Sequence, residues 1–420
     1  MKFLRTKLQK DLFLNIIFFG AIVVIGILIN IIVLNFYDEE ALGIFNQTYA
    51  IYIFLSQIAV GGVHLAIQHY IPKYLNNFLM ISLLTQSSII LSSFLSIVTV
   101  VVSYLCIPIF QMVLNSENVG KALYFSLWGL LFFSINKVLL SILNGLRKMR
   151  LFAFFQFLRM FFILAVILIL IYFHFQPYYL NSSLAISEVL LSIILLIIHI
   201  KYFKKISLSR RWKTIKSLRK FGSKALIGNV LLDLNTKIDV LVLGIFLTDN
   251  RVGVYSFVAS IFEGFSQLVV LFRNNFNPLF TKVYFNKSME VTQRIVQITL
   301  NSLTNLLIIA GILSIVIYPF AALFIGIKNI WESTFLYLIL CLGFILNGKY
   351  QIILMIFNQL GKPNLQTFLI FIIAISNTIF NFLLIPFLEV YGAAIGTFLS
   401  FFVQRISTKY LMVKYTQINI

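Results

Sequence analysis

Charge is scarce in this chain. Only 11% of its 420 residues are charged, and Asp and Glu number 13 against 33 Lys and Arg. A soluble globular chain carries about 25% charged residues and about 45–50% apolar ones. Here 60% are hydrophobic and the mean hydropathy is +0.98. That shortage excludes an ordinary soluble domain and points to a membrane protein. Cysteine is nearly absent. Cys106 and Cys341 sit in apolar runs without a CxxC pair, which excludes a disulfide scaffold or thiolate metal site and leaves two small buried hydrophobes. No HExxH, GxSxG or GxGxxG occurs, and no hydrophilic stretch is long enough for a catalytic domain. The segment Gly343 to Tyr350 matches a phosphate-binding loop at every position but the last. Tyr350 stands where a Ser or Thr would hold Mg²⁺, and the setting is apolar and helical. Direct ATP hydrolysis is thereby excluded, no cofactor or metal is expected, and any work must draw on an ion gradient or the substrate's own gradient.

Long apolar runs are what the chain has in abundance. A hydrocarbon core about 30 Å thick requires roughly 20 apolar residues per helix. Runs of that kind lie at 14–36, 44–68, 78–106, 122–143, 151–173 and 180–200, then at 222–247, 252–272, 296–318, 333–357, 365–387 and 391–412. The first has no small-residue cleavage site and is followed by many more, so it reads as a retained helix. The expectation is an all-α integral membrane fold of about twelve transmembrane helices.

The basic residues are distributed by side. One set of loops holds Lys2, Arg5, Lys7, Lys10, Lys73, Arg147, Lys148, Arg150, ten in 201–224, and Arg273, Lys282, Lys287, Arg294, Lys349, Lys362, Arg405, Lys409 and Lys414. The opposite loops hold Lys121, Arg251 and Lys328 among Asp38, Glu39, Glu40, Glu117, Asp249, Glu332 and Glu389. The positive-inside rule puts both termini in the cytoplasm. The net charge of +20 is thus a topology signal and predicts no nucleic-acid partner.

The halves repeat. Gly43-x-Phe45 and Ser56-Gln57 recur as Gly253-x-Tyr255 and Ser266-Gln267, and Asn144-x-Leu146-x-Lys148 recurs as Asn358-x-Leu360-x-Lys362. Pro72 and Pro278 close the second helix of each half. Residues 1–200 and 222–420 are therefore expected as two parallel six-helix bundles around a central cavity, which is a transporter's organisation. Between them the segment 201–221 has no acidic residue, and Trp212, Ile215, Leu218 and Phe221 fall at helical spacing. It reads as a basic amphipathic helix on the anionic inner leaflet, anchoring the chain or gathering a phosphate-bearing lipid.

Seven ionisable residues fall inside predicted spans: Lys137, Arg159, Glu188, Asp233, Lys237, Asp239 and Glu263. Each costs roughly 2.5–3.5 kcal/mol at a helix centre, so they must pair, snorkel or line a wet cavity. Ser134, Lys137, Ser141 and Asn144 form one helical stripe. Gln57, Gly61, His64 and Gln68 form another. Asn229, Asp233 and Lys237 share a face of span seven, and Ser256, Ser260, Glu263 and Gln267 share one of span eight. Lys137 has no acid on its own helix, so a cationic role in the lumen is favoured. Asp233 and Lys237, four apart, either neutralise each other or act separately. Asp233, Asp239 and Glu263 are candidates for coupling to a proton or cation. His64 and His69 read as packing residues; His174 and His199 sit near span ends.

Further motifs carry a resemblance. They are Asp239-x-Leu-x-Leu-Gly244-x-Phe246, Val252-Gly253-x-Tyr255, Asn277-Pro278, Leu360-Gly361-Lys362-Pro363 and Asn381-Phe-Leu-Leu-Ile-Pro386 with Tyr391-Gly-Ala-Ala394. Leu42-Gly43-x-Phe45 and Tyr70-Ile71-Pro72-Lys73 match the same pattern in the first half. Over nearly its whole length the chain resembles the polysaccharide repeat-unit flippases of the multidrug/oligosaccharidyl-lipid/polysaccharide superfamily. The resemblance implies a bacterial plasma-membrane protein that passes undecaprenyl-pyrophosphate-linked oligosaccharide from inner to outer leaflet by alternating access, coupled to an ion gradient. O-antigen or capsule synthesis would be the setting, with a polysaccharide polymerase and a chain-length regulator as partners. Lys137, Arg159 and Lys237 would meet the anionic head, with Gln57, His64, Asn144, Asn229 and Gln267 as polar lining and Pro72 and Pro278 as bending points. A cation-coupled multidrug exporter of the same superfamily is the alternative, although such exporters carry an acid on the first helix, where this chain offers Asn15 and Asn30. A cell-wall precursor flippase would have more spans. A membrane glycan polymerase or ligase would have a large, charged outer loop, whereas 107–121 and 319–332 are short and carry few charges.

Overall fold

The computed structural model describes residues 2–203, 207–286 and 288–418; within these, the side chains of 2–13, 15–16, 224–225, 229, 274–275, 278, 282 and 285–286 are not described. The described residues form helices and turns with no strand. The first six expected spans are α1 (Lys2–Phe36), α2 and α3 (Glu39–Val60, Val63–Tyr70), α4 (Phe78–Leu105), α5 to α7 (Ile107–Val113, Glu117–Ser126, Gly129–Gly145), α8 (Met149–Tyr172) and α9 (Ser182–His199). The rest are α10 and α11 (Leu208–Asn235, Ile238–Phe246), α12 (Asp249–Asn286), α13 (Met289–Ile325), α14 to α16 (Ile330–Leu346, Gly348–Ile352, Ile356–Gln359) and α17 (Pro363–Thr416).

Seven of these helices are each long and apolar enough to cross a membrane, and two bent pairs bring that to nine. The 54-residue α17 breaks at Glu389 (φ 48, ψ −130) into two spans. With α14 and the α10–α11 segment, the sum is the twelve spans expected. The interior is largely apolar, and many large apolar side chains are also exposed, as lipid permits. On α4, Phe94 and Leu105 are 64% and 75% exposed, while Ser82, Ser88, Ser92 and Ser96 are buried. Small side chains let helices approach closely, and lipid replaces water as solvent for the apolar ones. Several hydroxyls of α4 bond back to their own helix: Thr85 donates to the Ile81 carbonyl and Ser88 to that of Thr85, both at 2.8 Å.

The chain divides into two compact units, one of residues 1–37 and 44–233, the other of residues 38–43 and 234–420. In the first unit, span two bends by 54° between α2 and α3. The bend falls at Gly61 and Gly62, both left-handed (φ 58 and 69). Pro72, expected as a bending point, lies instead in the one-turn 3₁₀ helix Ile71–Tyr74 that closes the span. Proline fits there because the first turn of a helix needs no N–H donor. A side chain on Gly62 would also collide with the backbone of Gly222.

The sequence repeats have backbone counterparts. In the second unit, a Cβ on Gly43 would strike the Asp249 carbonyl and one on Gly253 that of Glu39, so the repeat-related glycines meet at one close crossing. The caps repeat as well. Arg147 N donates to the Asn144 carbonyl at 2.8 Å and Lys148 N to that of Leu143 at 2.8 Å. Gly361 N donates to the Asn358 carbonyl at 3.2 Å and Lys362 N to that of Phe357 at 2.9 Å. Arg147 (φ 57) and Gly361 (φ 68) hold the same left-handed position in the two units.

A Cβ on Gly361 would meet nothing within 4 Å, so its substitution tests backbone conformation alone. Thermal unfolding in detergent should show Gly361→Ala losing about 1 kcal/mol and Arg147→Gly gaining up to about 1 kcal/mol. Opposite signs would refute the shared cap. Gly62→Ala, which adds a collision to the same backbone strain, should cost more than about 2 kcal/mol or abolish folding.

Candidate functional site

In the first unit the charged side chains of four spans converge. A close contact sets two of those spans: a Cβ on Gly129 of α7 would stand 2.5 Å from the Ala185 Cα of α9. One to two turns further along, Asn136 of α7 donates to Glu188 of α9, to Oε2 at 2.7 Å and to the backbone carbonyl at 2.8 Å. Ser192 Oγ donates to Asn136 Oδ1 at 2.8 Å. Glu188 is buried, and its other carboxylate oxygen faces Arg159 Nε of α8 at 3.7 Å. An ion pair completed by hydrogen bonds is the form in which charge survives in a low dielectric.

Lys137 lies one residue along α7. Its Nζ donates to Gln57 Oε1 of α2 at 3.1 Å. The Asp233 carboxylate of α10 is hydrogen-bonded to the same Gln57 side chain and lies within electrostatic reach of Lys137. One ammonium and one carboxylate are thus joined through an amide. Phe133 carries a cation against its ring on each count: Lys137 Nζ and Arg159 Cζ both lie 5.4 Å from its centroid. Tyr52 packs edge-on to Phe133 at 6.0 Å. At 1.5 Å per residue, Lys137 is about 12 Å from the end of α7 at Gly145, and Arg159 about 15 Å from the start of α8 at Met149, so both sit near the middle of their helices. His64 is buried within electrostatic reach of Lys137. The neighbouring stripe closes with Gln68 Nε2 donating to Ser141 Oγ at 3.3 Å.

The second unit holds its own cluster. Lys237 Nζ bonds Glu263 Oε1 at 2.5 Å. The Tyr255 hydroxyl donates to Asp239 Oδ2 at 2.5 Å, and Val240 N to Asp239 Oδ1 at 2.9 Å. Asp239 lies within electrostatic reach of both Lys237 and Glu263. Lys237 thereby finds its carboxylate on another span. The helix breaks between Asn235 and Ile238, so Asp233 and Lys237 lose the continuous turn that would have stacked them. Gln267 is exposed, Asn144 is half-buried, and the side chain of Asn229 lies outside the described residues.

A third group of charges collects at one end of the second unit. Arg251 forks onto Glu332 at 2.7 and 3.1 Å and reaches Glu389 at 2.9 Å. Asn250 donates to Glu39 at 3.1 Å, and Lys328 lies 3.7 Å from the same carboxylate. Residues that charge counting assigned to one set of loops are therefore together at one end of the unit.

Glu188, Asn136 and the two buried tyrosines Tyr52 and Tyr255 are the site members that spacing did not single out as binding residues. Glu188 had a signal, since a lone acid in an apolar span demands a partner. Asn136 and Tyr52 had none, because their roles arise only from contacts across helices, and Tyr255 stood out only as part of the repeat and family motifs.

The whole chain resembles solved transporters in fold. An inward-facing multidrug resistance MATE family transporter of the MOP superfamily superposes with TM-score 0.74 at 13% identity, covering 92% of each chain. The lipid II flippase MurJ, in an inward closed conformation, gives 0.64 at 14% identity over 89% of this chain and 85% of that one. The Vibrio cholerae MATE transporter VcmN gives 0.63 at 13% identity over 97% and 98%. No curated protein matches the sequence. At the level of family, residues 8–285, about two thirds of the chain, match the group described as polysaccharide biosynthesis protein, and the chain belongs to that family.

Proposed function

We propose that this multi-pass membrane protein is a flippase that carries undecaprenyl-pyrophosphate-linked oligosaccharide from the inner to the outer leaflet of a bacterial plasma membrane. Both termini are cytoplasmic in this reading, and alternating access is driven by an ion gradient. The observation that carries it is the pair of cations, Lys137 and Arg159, set on one aromatic ring near the middle of their helices. A pyrophosphate crossing hydrocarbon needs cationic hydrogen-bond donors at that level. At rest Asp233 and Glu188 supply the counter-charge, and an arriving phosphate competes with them for the same donors. Displaced carboxylates are then free to take up a proton or cation, which gives coupling a physical route. Lys237 with Glu263 and Asp239 with Tyr255 offer the second unit an equivalent exchange. The family supports a polysaccharide precursor as cargo, and the fold supports transport without catalysis.

The likeness to multidrug resistance MATE transporters supports a second reading, cation-coupled drug export, in which the buried carboxylates take the coupling ion. Liposomes holding purified protein and a fluorescent undecaprenyl-pyrophosphate oligosaccharide separate the two. Lys137→Ala and Arg159→Ala should each slow appearance of the sugar on the far face by about tenfold or more, while Lys216→Ala stays near wild type. Equal small effects would count against cationic recognition. No transfer under either a proton or a sodium gradient, with extrusion of a cationic dye from the same liposomes, would favour the drug reading.

Exchanging the partners in the second unit gives an independent check. Lys237→Glu alone should impair transport because it sets two carboxylates together, and the double variant with Glu263→Lys should recover a substantial part. Failure of the pair to recover would mean that position, and not mutual charge, is what matters there.

A further inference from the structure

Away from these clusters, the second unit contains a basic cleft. It has a volume of about 390 Å³ and is lined by Thr304, Ile308, Ile345, Leu346, Lys349, Tyr350, Arg405 and Lys409. Three cations come from two segments, Lys349 from α15 and Arg405 and Lys409 from α17. None of the residues lining it is acidic, and among the described residues no carboxylate forms an ion pair with these three. Arg405 and Lys409 are four apart on one helix face, where like charges repel. The Arg405 guanidinium lies 5.6 Å from the centre of the Tyr350 ring, a cation–π contact that holds it at the cleft although the residue is exposed.

The cleft is built and not merely a gap. Thr304 is 9% exposed, yet its hydroxyl has no hydrogen-bond partner. Gly348 makes the approach of α13 possible, since a Cβ there would stand 2.9 Å from Leu307 Cδ2 and 3.4 Å from Thr304 Cγ2. The segment Gly343 to Lys349, set aside above as a coincidental likeness to a phosphate loop, thus supplies a glycine and a lysine to this cleft in another way. On the same helices Leu306, Ile309, Leu346 and Ile406 are exposed apolar side chains, as a lipid-facing surface requires.

Depth fixes the leaflet. Ile325, Ile330 and Glu389 lie at the end of the unit where Arg251 joins Glu332 to Glu389. At 1.5 Å per residue, Arg405 is about 24 Å from Glu389, Lys409 about 30 Å, Lys349 about 28 Å from Ile330, and Thr304 about 32 Å from Ile325. Lys349, Lys409 and Thr304 lie about one hydrocarbon thickness (about 30 Å) from that end and Arg405 about one turn short of it, so the group reaches headgroup level of the opposite leaflet. That is the leaflet flanked by the basic loops.

We infer that this cleft is a binding site for the phosphate headgroup of an anionic membrane lipid of the cytoplasmic leaflet, resident in the bilayer and distinct from the transported cargo. The three cations and the Thr304 hydroxyl take the phosphate oxygens, and Ile308, Ile345 and Leu346 carry the start of the acyl chains. The inference does not depend on the identity of the cargo.

Native mass spectrometry of the full chain, released from micelles doped with phosphatidylglycerol or phosphatidylcholine, tests it. Wild type should retain phosphatidylglycerol preferentially, and a variant carrying Lys349→Gln, Arg405→Gln and Lys409→Gln should retain it at least about tenfold less. A variant with Lys362→Gln and Lys414→Gln, basic residues outside the cleft, should behave as wild type. Unfolding temperature in phosphatidylcholine alone confirms that each variant is folded. If the triple variant fails there, the single Lys409→Gln, at an exposed position, replaces it and should still weaken retention. Equal retention by wild type and cleft variants overturns the site. Displacement of the lipid by millimolar inorganic phosphate, or saturation by phosphate without lipid, would overturn the lipid assignment and make the cleft a site for the free anion.

Discussion

Charge within hydrocarbon must be compensated where it stands, and the interior of both units is arranged by that requirement. Arg159 meets Glu188, Lys237 meets Glu263, and Lys137 is joined to Asp233 through Gln57. Each link crosses between helices, so each also sets helix positions. Water would make such links weak; lipid makes their absence expensive. On α4 the packing follows the same logic, with Ser82, Ser88, Ser92 and Ser96 inside and Phe94 and Leu105 outside, because apolar side chains gain nothing by turning from a lipid solvent.

A compensated cluster is a poor permanent binding site and a good exchange site. Its cations are already satisfied, so a ligand gains only the difference between its own contacts and those it displaces. An anionic head that presents several oxygens can outbid a single carboxylate. A neutral ligand cannot. In the proposed function, selectivity for an anionic head would be obtained without leaving bare charge in the membrane. In the second unit, the pairing of Arg251 with Glu332 and Glu389 is richer and sits at a span end, which suits holding structure more than exchanging ligand.

Most of this architecture was legible in the sequence because membrane crossing imposes length and periodicity on apolar runs. The twelve apolar runs fall on helices of the structure, although α10, α12 and α13 extend well beyond the runs that marked them, and the break of α17 at Glu389 falls where two runs were separated. The half-chain repeats proved to be backbone features at Gly43 with Gly253 and at Asn144 with Asn358. Partner choice was less legible. Lys237 paired across helices with Glu263 because two residues at 236–237 leave the helix, and no periodicity rule registers such a break. Nor did spacing show that span two bends at Gly61 and Gly62 and not at Pro72. Paired left-handed glycines leave a composition signal no different from flexible packing, and only the collision at Gly222 gives them their meaning. Asn136 was passed over because it lies beside the polar stripe that drew notice, on the face that turns to α9.

The shared cap at Arg147 and Gly361 has a consequence for comparing the halves. One copy keeps glycine where the backbone turns left-handed; the other has arginine and holds the same turn with the same two hydrogen bonds. Residue identity at that point is therefore a poor guide to ancestry, while the bonding pattern is a durable one. Alignments of internal duplications in membrane proteins anchored on such caps, and on crossings like Gly43 with Gly253, would keep their register after side-chain similarity has faded.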